Sequence, residues 1–185
     1  MSTPGPARAA AVRAPSPERT PWRLGRRTRK AVLAIHLVAS GTWIGIDVVM
    51  AVAVFTALLS DDTPTKALSF QALDLFVVWP LFVTGLVCLA SGITLGIGTK
   101  YGLFRYWWVA TKLVLNIMLA SLVLIALRPG VSETAERARQ AMAGEAVSLE
   151  VGDLLFPPIV SPLALLIAVL LAVYKPWGRI RRRTR

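Results

Sequence analysis

His36, Ser40, Trp43 and Asp47 follow one another at offsets of four, seven and eleven residues, which puts all four on one face of a helix. Ionisable and polar groups inside an apolar stretch face a protein interior or a water-filled cavity, and they mark pathways, relays or ligands. A buried carboxylate such as Asp47 can accept and release a proton. A second pair, Lys112 and Asn116, is four residues apart on another apolar stretch. If the two helices run the same way, His36 and Lys112 reach similar depth and line one pocket that suits a carboxylate or the propionates of a porphyrin. The bland alternatives stand beside these. His36 can simply hydrogen-bond near an interface, Lys112 can snorkel to the headgroups, and Asp47 can be satisfied by a hydrogen bond or by an arginine such as Arg128.

The elements that must position these residues are set by hydropathy. The chain has 185 residues, 55% of them hydrophobic, with mean hydropathy +0.61. A spanning helix needs about 20 mostly apolar residues. Four stretches qualify: about 31–59, 73–97, 106–127 and 154–174. Alternating strands of the membrane-barrel kind are absent, and backbone groups in lipid must be satisfied within the segment, so helices are expected. The fold class is therefore all-α, a polytopic bundle of four transmembrane helices. Residues 31–177 form the membrane domain. Residues 1–30, rich in Pro, Ala and Arg, read as a disordered basic tail, and 178–185 as a second basic tail. Arg26-Arg27 faintly resembles a twin-arginine signal, but the apolar stretch behind it is too long for one.

Charge orients the bundle. The N-terminal tail is basic, the linker at 60–69 acidic, that at 98–105 basic and that at 128–153 net acidic, and the C-terminal tail is basic again. Positive segments stay in the cytoplasm, so four crossings with both ends inside are expected. Tyr106, Trp107 and Trp108 would anchor the third helix at the inner boundary, and Tyr174 and Trp177 the fourth. Pro80 should bend the second helix near its outer end. Pro129-Gly130 reads as a helix stop, followed by a short polar helix over 132–144 capped by Ser132. Thr84, Cys88 and Ser91 share a face suited to packing. The single cysteine, Cys88, forms no disulfide within the chain, and without a His/Cys cluster a structural zinc site is excluded. The four methionines form no cluster that would suit copper.

His36-x6-Trp43-x-Gly45, together with Trp108-x3-Lys112, resembles a superfamily of small bacterial membrane proteins that includes HemJ-type protoporphyrinogen oxidases and the membrane domain of CopD copper-resistance proteins. The likeness is nearest to an uncharacterised family of integral membrane proteins related to them. It covers about 31–177 through short motifs. It implies residence in the bacterial plasma (inner) membrane and, for an enzyme, an oxidoreductase of protoporphyrinogen-oxidase type with b-type haem. Carried over, the first-helix histidine tied to haem is His36, which would ligate the iron, and the functionally important third-helix lysine is Lys112. Beside them, Trp43 and Asn116 are further cofactor-binding candidates by their shared helix faces, and the catalytic candidates are Lys112 and, as a buried carboxylate that could relay a proton, Asp47. The chain has no second histidine, so a sixth ligand would have to be Met50, Met118, another side chain or a group from a second subunit.

Three functions remain open from sequence: a structural or accessory membrane component, a haem-binding or porphyrin-handling redox protein, and a small proton- or solute-conducting protein that uses Asp47. Expected partners are the lipid bilayer, anionic lipids at the cytoplasmic face, and a second copy or larger complex through the Gly41-x3-Gly45 ridge. A nucleic-acid partner is not expected, because basic tails beside a span set topology.

Overall fold

The computed structural model describes residues 24–99, 103 and 106–176. Residues 1–23 and 177–185, which hold most of both basic tails and Trp177, lie outside the described residues, as do Lys100 and Arg105. Everything described is helix or short linker, with no strand element among the described residues. Helix α1 covers Arg26–Leu59, α2 Thr63–Phe76, α3 Val78–Ile97, α4 Trp107–Leu122, α5 Arg128–Met142 and α6 Pro157–Tyr174. A π-helical turn, Val123–Leu127, joins α4 to α5, and a 3-10 turn, Gly152–Leu155, precedes α6.

Four helical runs are long and apolar enough to cross a membrane: Arg26–Leu59, Thr63–Ile97, Trp107–Met142 and Gly152–Tyr174. The chain is thus a polytopic membrane-type four-helix bundle. In cyclic order α1 packs on α3, α3 on α4, α4 on α6, and α6 back on α1. The outward faces are apolar: Leu37, Val38, Val48 and Val52 on α1, and Leu163, Leu166 and Val173 on α6, are all exposed. So much exposed aliphatic surface suits hydrocarbon as solvent and not water.

Three runs are longer than a bilayer core needs. The 34 residues of α1 extend about 51 Å at about 1.5 Å per residue, against about 30 Å of hydrocarbon. The excess is used at one end of the bundle, where α2 and α5 pack along each other as a cap. Ala67, Phe70 and Leu73 of α2 are buried there, as are Val131, Ala135 and Ala138 of α5. Asp62 starts α2: its carboxylate accepts from the Thr65 amide at 3.0 Å and from the Thr65 hydroxyl at 2.6 Å. These bonds stabilise the charged form and lower the Asp62 pKa from its ordinary value.

Several boundaries differ from the sequence expectation for definable reasons. Arg26–Lys30, assigned to the tail, is the first turn of α1. The second span begins at Thr63, not near residue 73, and is interrupted at Val77 alone. Pro80 has no N–H to give the Phe76 carbonyl, so the ladder skips one residue there while the Val77 and Leu81 amides keep their own acceptors. Pro129-Gly130 does not stop the third span. The π turn widens the helix just before Pro129, with the Arg128 amide reaching back to the Val123 carbonyl, and the wider turn accommodates the proline ring. The polar helix therefore starts at Arg128 with no Ser132 cap and runs to Met142.

The two ends of the bundle differ in charge. The α1 start meets the α3 end through the Leu24 amide, which donates to the Gly98 carbonyl at 3.1 Å, and Lys112 lies within electrostatic reach of Lys175. This end carries Arg26, Arg27, Arg29, Lys30 and Lys175. The opposite, capped end carries Asp61, Asp62, Asp74, Glu133, Glu136, Glu145, Glu150 and Asp153 against Lys66, Arg128, Arg137 and Arg139, and is net acidic.

Candidate functional site: a histidine seam and a polar floor beneath a cavity

Near the basic end, His36 of α1 turns toward α3. Its Nδ1 lies 3.1 Å from the Cys88 carbonyl and 3.0 Å from Ser91 Oγ. The Ser91 hydroxyl gives its own proton to the Val87 carbonyl at 2.6 Å. A carbonyl only accepts, so Nδ1 carries the proton and shares it between two acceptors. The lone pair of the neutral ring is then on Nε2. One turn on, the Ser40 hydroxyl donates to the His36 carbonyl at 2.8 Å and lies 3.3 Å from Cys88 Sγ. His36, Ser40, Cys88 and Ser91 thus form one polar seam between α1 and α3. Gly92 lets the imidazole close in, for a Cβ there would sit 3.3 Å from the ring.

Lys112 comes to this region from α4. Its Nζ lies over the Trp108 ring, 4.8 Å from the centroid, so the side chain runs back one turn toward the basic end. It is partly buried and within electrostatic reach of His36 and Cys88. The structure therefore brings His36 and Lys112 to the same level, as the parallel course of α1 and α4 requires. Neither lines the large cavity described below or the shallow apolar groove bounded by Ala34, Val38 and Thr84. Asn116, one turn beyond Lys112, has a buried Oδ1 without a hydrogen-bond partner among the described residues.

Trp43 and Asp47 lie farther along α1, each 1% exposed. The benzo edge of Trp43 packs on the α3 backbone at Gly85, where an added Cβ would meet ring carbons at 2.9 and 3.0 Å. Asp47 turns toward α6: Ser161 Oγ donates to its Oδ2 at 2.8 Å in a fully buried bond. Arg128 does not reach it. That guanidinium stacks over Trp79, 5.0 Å from the ring centroid, at the edge of the bundle, where Trp79 also meets Phe82 edge-on at 6.4 Å. Ser161 is absent from the sequence reading, although the polar residue opposite a buried carboxylate had to lie somewhere. Its only signal was being the sole hydroxyl of the fourth span before Tyr174.

Above this pair, toward the acidic end, is a cavity of about 600 Å³. Trp43 and Ser161 lie at its inner end, Met50, Leu81, Leu119 and Val123 form its walls, and Glu133, Arg137, Glu150 and Asp153 surround its charged mouth. Gly41 and Gly45, by contrast, face outward, with nothing within 4 Å of a Cβ built on either.

Fold and site together define the class: an all-α, multi-pass membrane bundle whose interior polar groups link one helix to the next. No family model, curated protein or solved structure matches the chain.

Proposed function

We propose that this chain is a non-catalytic component of a bacterial plasma membrane, a structural or accessory protein with both basic ends in the cytoplasm. One observation carries the reading. Polar side chains of the interior join one helix to another, His36 of α1 to Ser91 and the Cys88 carbonyl of α3, and Asp47 of α1 to Ser161 of α6. Such bonds hold spans together where lipid supplies no hydrophobic drive for helix association. The orientation rests on the positive-inside bias applied to the two unlike ends. Arg26, Arg27, Arg29, Lys30 and Lys175 would then meet anionic headgroups of the inner leaflet, and the open Gly41–Gly45 ridge would seat a second copy or a partner span.

Reporter fusions test the orientation. Alkaline phosphatase inserted at Gly144, between α5 and the 3-10 turn, is expected to be active, and a fluorescent protein fused after Arg185 is expected to glow. The reverse pair of results would turn the bundle over.

One observation favours a second reading, porphyrin binding. A histidine that ligates a metal through one nitrogen commonly gives its other N–H to a backbone carbonyl, and His36 does so through Nδ1. The rest of a haem site fits poorly. Met50 is 14 residues along the same helix, about 21 Å from His36, and Met118 is exposed on the outer face of α4. Neither can stand across an iron from His36 within one chain. Bound haem would supply one-electron chemistry, His36 would hold it, and Lys112 would pair a propionate. An absorption spectrum of protein purified in mild detergent separates the two readings. The accessory reading expects no Soret band, and a Soret band abolished in His36→Ala would replace it with the second.

A further inference from the structure

The cavity at the capped end runs along one helix face. Leu119, Val123, Ala126, Gly130, Glu133 and Arg137 follow one another down the third span at steps of three or four residues, and all of them line it. This face is about 27 Å long at about 1.5 Å per residue, and its character changes along its length. Leu119, Val123 and Ala126 are apolar, and Met50 and Leu81 join them from α1 and α3. Glu133 and Arg137 lie at the far end, where Glu150 and Asp153 also line the cavity. The π turn forms part of the wall, and π-helical turns inside longer helices are frequent at functional sites.

The chamber, of about 600 Å³, falls within the roughly 300–1,000 Å³ of sites that take small organic molecules. Leu122, Ala126 and Val160 line it and are exposed, so it is open and not sealed. An unfilled apolar hollow forfeits the dispersion contacts of its lining. A molecule with an apolar tail and a charged head matches both ends at once, the tail among Leu119, Met50 and Val123 and the head at the mouth.

The mouth selects the sign of the head. Three of its four ionisable groups are acids, and its one cation, Arg137, is bonded to Glu133 at 2.5 Å. Glu150 accepts from the Ser148 hydroxyl at 3.0 Å, and neither it nor Asp153 meets a cation among the described residues. The whole capped end is net acidic, and clefts with low-dielectric walls focus such a field on what enters them. An anionic amphiphile would be drawn to the opposite, basic end.

We infer that this chamber binds a single-tailed amphiphile with a cationic head, its tail along the Leu119–Ala126 face and its head between Glu150 and Asp153. This goes beyond the accessory reading and does not depend on it, since the site needs neither a defined orientation nor a catalytic step.

Binding of radiolabelled dodecyltrimethylammonium to the full chain in phosphatidylcholine nanodiscs tests the site, with empty nanodiscs as background and dodecanol and dodecanoate as competitors. Saturable binding of one cation per chain is expected. Dodecanol should compete about tenfold less well, equivalent to about 1.4 kcal/mol, which is the scale of two exposed ion pairs, and dodecanoate should compete less well still. Glu150→Gln/Asp153→Asn should bring the cation down to the level of dodecanol. Leu119→Trp should weaken the cation and dodecanol alike by filling the apolar end. Glu150 and Asp153 are both exposed, so their replacement leaves the fold intact and carries the test if Leu119→Trp fails to assemble. Binding no greater than to empty discs would overturn the inference. So would equal competition by dodecanol in the unmodified chain, or an undiminished preference for the cation in Glu150→Gln/Asp153→Asn. Loss of the binding when the discs are made of phosphatidylethanolamine would assign the chamber to a bilayer phospholipid instead.

Discussion

Gly85→Ala is expected to destabilise the bundle by about 1–3 kcal/mol, the usual cost of forcing an extra methyl into a filled interior. The methyl would lie 2.9 Å from Trp43 Cζ3 and 3.0 Å from Cη2, inside van der Waals contact. A flexible neighbour would swing away, but Trp43 is a rigid bicycle buried to 1% exposure. The strain must therefore move α1 against α3, the most extensive helix pair in the bundle. Trp43→Phe removes the atoms that clash. In the double variant Gly85→Ala/Trp43→Phe the methyl fills space that the smaller ring has vacated. The two costs should then fall short of their sum by about 1 kcal/mol, within the range for residues in contact. Trp43→Ala alone should cost about 3–5 kcal/mol, as large aromatic truncations do when the void cannot close. Unfolding in mixed micelles at increasing denaturing-detergent fraction reads all of these. Additivity of Gly85→Ala and Trp43→Phe to within about 0.3 kcal/mol would mean that the two residues do not meet.

This contact also shows where sequence reasoning stopped. The face formed by His36, Ser40, Trp43 and Asp47 was legible because helical spacing is local. So were the four apolar runs and the unlike charge of their linkers. Which neighbour each member of that face meets was not legible, because that depends on the order of helices around the bundle. His36 and Trp43 both meet α3, through Ser91 and Gly85, whereas Asp47 meets α6 through Ser161. One face thus serves two partners, because α1 packs on both α3 and α6 and Asp47 lies a turn beyond Trp43's contact with α3. The π turn was hidden for a related reason. Pro129-Gly130 is a stop signal by local rules, and the helix continues because α5 has a partner in α2 over Ala67, Phe70 and Leu73. Tertiary packing outweighs a local breaker when the segment beyond it has an apolar face to bury, and Val131, Ala135 and Ala138 supply that face.

Ser161→Ala is expected to cost about 1–3 kcal/mol, because it leaves a buried carboxyl with no donor at all. Among the described residues the Asp47 carboxyl already lacks a partner on Oδ1, so the Ser161 hydroxyl at 2.8 Å is the bond that holds it. Asp47→Asn keeps an acceptor oxygen for Ser161 and should cost less than half as much. Asp47→Leu differs again: the freed Ser161 hydroxyl can turn to a carbonyl of its own helix, and the leucine fills the space in apolar form. The pair Asp47→Leu/Ser161→Ala should consequently be close to wild type or more stable, because replacing both members of a buried polar pair with apolar groups removes the desolvation cost along with the bond. A ranking in which Ser161→Ala is the most damaging and the double replacement the least is specific to a buried pair that costs as much as it contributes. Mean values for interhelical hydrogen bonds in membrane proteins are lower, about 0.6 kcal/mol. A Ser161→Ala cost at or below that level in mixed micelles would show that Asp47 finds another donor. The stability of α1 against α6 would then rest on the packing of the two helices and not on this bond.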